Sequence, residues 1–199
     1  MKNKYAKLDL GTVEAVGNML GGMDGIAKLL RGDLTISTPS STRRLKFRDT
    51  VVCPAIGEFK GADNFQIGTL NGVKIGYLSN NFKKMIAPKV ETDIAEITLR
   101  SYELLTNSKD FGIIRELEDG KEVVSLAHFH HLHTLQGEGQ KEGPLLVNSK
   151  ANISYIVGDD GNIWAVPSYW DAYCDGWSFF ACPVEDVYVW HAGSHVFAR

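Results

Sequence analysis

Four of the six histidines in this chain fall in one short stretch, Ser125-Leu126-Ala127-His128-Phe129-His130-His131-Leu132-His133. Neutral imidazole ligates zinc, copper, nickel and iron, so such a cluster raises metal chemistry first. The apolar run Val123-Val124-Ser125-Leu126-Ala127 ahead of it predicts a buried strand carried into the histidines. On a strand, His128 and His130 share one face with Leu126 and Leu132, while His131 and His133 share the other with Phe129. The pair His128 and His130 supplies two ligands to one divalent transition metal such as zinc, and His191 or His195 supplies a third. With the fourth position left to water, zinc lowers the pKa of that water to about 7, and Glu138 or Glu142 stands nearest in sequence as a general base. That chemistry is hydrolysis. The same stretch also reads without function, as polar residues on an edge strand or one buried, hydrogen-bonded ring among solvated neighbours.

The second group with chemical potential is aromatic. Trp164, Trp170, Tyr173 and Trp177 crowd into a β-patterned segment, where large rings either fill the core or wall a ligand pocket. They are the candidate ligand-binding residues. If Tyr169, Trp170, Tyr173 and Trp177 instead form one exposed patch, the segment is an interaction surface, as in a regulatory or inhibitory protein.

The elements that must position these groups are legible in outline. Residues 11–32 carry helical periodicity in two short runs, with Thr12 as cap of the first and Gly21-Gly22 as its end. Val13, Val16, Met19 and Leu20 form the apolar face of the first helix, and Met23, Ile26, Leu29 and Leu30 the inner face of the second. Such a hairpin invites comparison with helix-turn-helix readers of DNA, but Asp24, Ala27, Lys28 and Arg31 leave too few donors to read base edges. From Leu34 the pattern is mostly strand. Leu34-Thr35-Ile36 is short, and Arg44, Lys46 and Arg48 share one face of the next strand. Asn71-Gly72 predicts a tight turn between Phe65–Gly68 and Val73–Leu78. Residues 80–86 predict a short helix, residues 92–105 a bent strand, and residues 106–117 another short helix. The Gly-rich loop 135–143 predicts a mobile surface connection or lid. The final quarter is expected to be wholly β, with a hairpin across residues 153–166 and a strand at Val187–His191 before a short tail.

Length and composition bound the rest. A chain of 199 residues that is 44% hydrophobic and 23% charged builds an ordinary globular core, and a single domain over 1–199 is expected, with the helical hairpin at 11–32 and a β-rich body at 33–199. The net charge of -3 offers no electrostatic basis for general nucleic-acid binding, and no apolar run reaches the ~20 residues that span a bilayer. No secretory h-region follows Met1–Lys7, and Cys53, Cys174 and Cys182 form no CxxC pair, so a cytoplasmic chain with reduced thiols is expected. Phosphate loops, GxSxG elbows and HExxH are absent from the sequence. Asp159-Asp160-Gly161-Asn162 reads as a turn.

The run from Val13-Glu14-Ala15-Val16 through Leu20-Gly21-Gly22-Met23-Asp24-Gly25 to Leu29-Leu30-Arg31-Gly32-Asp33-Leu34 resembles the opening of a family of uncharacterised bacterial proteins. The likeness returns at Trp170-Asp171-Ala172-Tyr173 and Gly176–Ala181. It implies no activity. The expectation is therefore an α+β protein, a helical hairpin packed on a mostly antiparallel sheet, that binds a small molecule or a protein partner without turnover. A metal-dependent enzyme of the hydrolase kind and a regulatory interaction module stand as alternatives.

Overall fold

The computed structural model of the chain describes residues 10–33, 43–117, 120–184 and 188–199. The expected strand at Leu34–Ile36 lies outside them. The chain divides into two compact units, Met1–Thr42 and Arg43–Arg199, and the fold is α+β.

In the first unit, α1 (Leu10–Met19) and α2 (Gly22–Arg31) form the expected hairpin. Gly21 turns the chain between them in the left-handed region, at φ 89, a conformation open to glycine at little cost. Two details differ from expectation. Helix α1 already runs at Leu10, so Thr12 stands inside its first turn rather than ahead of it. On α2 the inward stripe passes through buried Gly25 and half-buried Ile26 and Leu29, whereas Met23 and Leu30 are exposed. At 100° per residue those two side chains fall just past Ile26, beyond the edge of the stripe.

The second unit is built on one nine-stranded sheet. Its strands are β1 (Leu45–Cys53), β3 (Gly68–Leu70), β4 (Val73–Leu78), β6 (Ile97–Leu104), β7 (Asn152–Val157), β8 (Ile163–Asp171), β9 (Gly176–Phe179), β10 (Cys182–Pro183) and β11 (His195–Ala198). The order is β1-β6-β11-β7-β8-β9-β4-β3, with β10 also pairing β8. Only β11 with β7 and β4 with β9 run parallel; the other pairs are antiparallel. A separate pair joins β2 (Ile56–Lys60) to β5 (Val90–Ile94). The turn between β3 and β4 is the one expected at Asn71-Gly72, with both residues at positive φ, 49 and 79. The basic row on β1 is interrupted by a register shift at Phe47/Asp49, and the intervening Arg48 pairs with Glu103 of β6 at 2.5 Å.

Alternation along the strands sorts apolar side chains onto two faces. Ile156, Trp164, Val166, Trp177, Phe179 and Phe197 belong to one core cluster, with α5 (Leu126–Thr134), and the short helix α3 (Gly61–Asn64) lies against α5. Ile153, Tyr155, Ala165, Val196 and Ala198 belong to the other, with Ile113 and Leu117 of α4 (Asp110–Leu117) and with Trp190. Residues 82–86 form a single π-helical turn, where a short helix is expected. The bent strand over 92–105 is two strands, because β5 pairs with β2 in the small sheet while β6 pairs with β1 and β11 in the large one.

Three expectations are corrected. The histidine stretch is helix α5, not a strand: Val123 makes one isolated bridge to Tyr155, and then the Ser125 hydroxyl accepts the His128 N–H at 3.1 Å and starts a helix. Residues 126, 129, 130 and 133 fit i, i+3, i+4, i+7 as well as other members fit alternation, and burial on almost every side removes the polar face that separates the two periods. The tail holds β11, which sits between β6 and β7 near the middle of the sheet, while Trp190 makes only an isolated bridge to Ser108. The 135–143 loop is pinned rather than loose, since buried Gln136 donates to the carbonyls of Gln140 and Leu145 and accepts the Leu145 N–H.

Candidate functional site

Helix geometry separates the histidines that a strand would have paired. His128 and His130 are about 200° apart around α5. His128 and His131 face the end of β1, where His128 Nε2 donates to the Pro54 carbonyl at 3.2 Å and the His131 ring lies near the Val52 backbone. His130 is wedged between Phe59 and Phe65, each 5.3 Å away between ring centroids. His133 is fully buried, 2.8 Å from the Phe129 carbonyl through Nδ1 and 2.8 Å from Ser168 Oγ through Nε2. A carbonyl only accepts, so Nδ1 carries the proton and Nε2 accepts from the serine. His191 is exposed in the turn after Trp190. Among the described residues no three His, Cys, Asp or Glu side chains form a group suited to a metal ion. His128, His130 and His191 are therefore not assembled as a ligand set, and Glu138 and Glu142 are exposed on their loop.

The residues that do converge are aromatic. Strands β8 and β9 and the segment after β9 keep one antiparallel register, so Tyr169 stands opposite Ser178 and Ala165 opposite Cys182, with Phe180 bonded through its N–H to the Pro167 carbonyl. Pro167, Tyr169 and Asp171 consequently share a face with Ser178, Phe180 and Cys182. The chain then returns across this face with Tyr188 and Trp190, leaving an open pocket of about 440 Å³. Tyr169 and Phe180 meet edge to face at 5.8 Å, while Tyr188 and Trp190 lie 5.8 Å apart and tilted by 33°. Tyr173 and Ser149 complete the rim, Tyr173 fully exposed.

Of the four expected ligand-binding residues, two reach this cavity. Trp170 and Tyr173 line it. The Trp170 ring nevertheless leans on Trp177 at 5.6 Å, on the face opposite Tyr169. Trp177 is fully buried and donates to the Gln136 carbonyl at 3.0 Å; Trp164 is a core residue whose indole N–H reaches Asp160 at 3.1 Å. Tyr169, Trp170, Tyr173 and Trp177 thus do not share one surface. Tyr169, Ser178, Phe180, Tyr188 and Trp190 were the residues to find. The signal was present as period-2 spacing at 167/169/171 and 178/180/182, but counting aromatic residues without separating odd from even positions conceals it.

No protein family, curated protein or solved structure matches this chain. The site is thus read from its own chemistry. Burial, with Cys182 and Tyr188 alongside, pushes the Tyr169 phenol up to about 12, so it stays neutral in ordinary conditions. Asp171 is the charged side chain among the described lining residues, and its Oδ1 accepts the Tyr173 N–H at 2.8 Å. Ser178 is 4% exposed, and its hydroxyl has no hydrogen-bond partner among the described residues. The Cys182 thiol also lines this wall.

Proposed function

We propose that this chain is a binding module that holds a small molecule in the cavity between the β8–β9 face and Tyr188–Trp190, without turning it over. The carrying observation is a cavity of about 440 Å³ with aromatic walls and a buried hydroxyl, Ser178, that lacks a partner among the described residues. Its size and mixture of apolar wall with few polar groups are those of small-molecule sites. An unpaired buried hydroxyl costs free energy that a ligand group is able to recover. The wide spacing of Cys53, Cys174 and Cys182 in the sequence, with no CxxC pair, fits a reducing cytoplasm. Among the described residues no helix is long and apolar enough to cross a membrane.

The test is a ligand-observed NMR screen of neutral aromatic fragments against the full chain. Saturable binders are expected, with affinity reduced roughly tenfold or more in Tyr188→Ala. A screen without saturable binders, or binders indifferent to Tyr188→Ala and Ser178→Val, overturns the reading. So does turnover of any substrate that a single change in the cavity abolishes.

A further inference from the structure

We propose that the cavity is a cage for a quaternary ammonium group, carried either by a small solute such as choline or by a trimethylated lysine side chain. This deepens the proposed function and rests on it. A cation is drawn to the electron-rich faces of Trp and Tyr within about 6 Å of a ring centroid. Here Tyr169 and Phe180 meet nearly at right angles, and Tyr188 and Trp190 add two more rings on the other side of the space.

Charge points the same way. Asp171 lines the cavity, and no lysine or arginine does among the described residues. The Asp171 carboxylate is held at the rim by the Tyr173 N–H. Behind the cage, the Trp190 indole N–H donates to buried Asp110 at 2.6 Å, and the Tyr155 hydroxyl donates to the same oxygen at 2.7 Å. A hydrogen bond from the indole N–H to a carboxyl oxygen leaves the ring more electron-rich, which strengthens its hold on a cation. An anionic ligand meets the opposite: a negative rim and no donor cation to offset it.

The apolar and aromatic groups of the wall favour a cation that carries methyl groups. A primary ammonium brings three N–H donors and loses hydration for all of them on entry. The described lining offers the Asp171 carboxylate and the hydroxyls of Ser149, Ser178, Tyr169, Tyr173 and Tyr188 as side-chain acceptors, set among ring faces and apolar groups. A quaternary nitrogen has no donors to satisfy, and its methyl groups fit apolar walls. Ser178, at the floor, is left to pair with a hydroxyl or carbonyl next to the cationic head.

Calorimetric titration of the full chain with choline and with its neutral isostere 3,3-dimethylbutan-1-ol reads the charge directly. Choline is expected to bind on the order of tenfold tighter. Asp171→Asn keeps an acceptor for the Tyr173 N–H and is expected to weaken choline by a similar factor, leaving the isostere unchanged. Tyr188→Leu, at a half-exposed position, is expected to weaken choline more than the isostere. Paired peptides with trimethylated or unmodified lysine separate the two sources: tighter binding of the methylated peptide than of choline assigns the site to a protein partner, the reverse to a free solute, and both support the cage. Equal affinity for choline and isostere overturns the cage and leaves an apolar binding pocket. Failure of choline and the methylated peptide while neutral fragments bind overturns the cage alone; failure of all of them overturns the binding reading as well.

Discussion

Both ring nitrogens of His133 are committed, Nδ1–H to the Phe129 carbonyl and Nε2 to the Ser168 hydroxyl, inside a shell of Phe129, Trp177 and Phe179. Burial lowers its pKa to about 3 against the opposing pull of the Phe129 carbonyl. Burial, and then the neighbouring His131, lowers His130 to about 4. In the unfolded chain both take up protons near the ordinary value of 6.5. Between roughly pH 6.5 and these folded values the unfolded state therefore binds more protons, and stability falls as pH falls, by up to about 1.4 kcal/mol per pH unit for each ring. Urea midpoints measured from pH 7.5 to pH 4.5 are expected to decline through this window; a flat profile sinks the assignment. Ser168→Ala leaves Nε2 buried without its donor and is expected to cost about 1–3 kcal/mol in the same denaturation experiment at pH 7.5.

At the scale of the element, α5 is held at its N-terminus by a residue from another sheet. The Glu91 carboxylate on β5 accepts the N–H groups of Leu126 and Ala127, both at 3.0 Å, and Lys89 holds the same carboxylate at 2.8 Å. Together with the Ser125 cap, this satisfies three of the N–H groups that a helix start leaves open, and it sets a negative charge at the positive end of the dipole. Glu91→Ala removes two of the three acceptor contacts and is expected to destabilise the chain by about 2 kcal/mol. Hydrogen exchange should quicken first at the Leu126 and Ala127 amides. Equal protection in the variant at those two positions counts against Glu91 as the anchor.

At the scale of the molecule, the division at residue 42/43 makes the β-rich unit a candidate for independent folding. All four tryptophans lie between residues 164 and 190, so the tryptophan fluorescence reports on that unit alone. A chain starting at Arg43 is expected to keep a single cooperative thermal transition at the midpoint the tryptophans show in the full chain. A broadened or lowered transition would mean that residues before Arg43 contribute to the folded state of the body.

What the amino-acid order determined by itself is mostly local. Asn71-Gly72 specified its turn because only residues tolerant of positive φ fit there, and the 153–166 hairpin followed from two β-branched runs around a Gly-containing turn. The α+β class and the N-terminal hairpin were legible for the same reason. What only the tertiary structure decided depends on partners far along the chain. Whether Leu126–His133 is helix or strand turns on Glu91, about 35 residues earlier, and on burial by two sheets, neither of which the stretch encodes. Four residues at 195–198 carry too little period to announce a strand, yet β6 and β7 on either side give them both sets of ladder partners. The cavity likewise needs β8 and β9 in register before odd and even positions separate into wall and core, and then Trp190 returned over them and anchored to Asp110 from 80 residues away. Long-range pairing chose among readings that local spacing left equal.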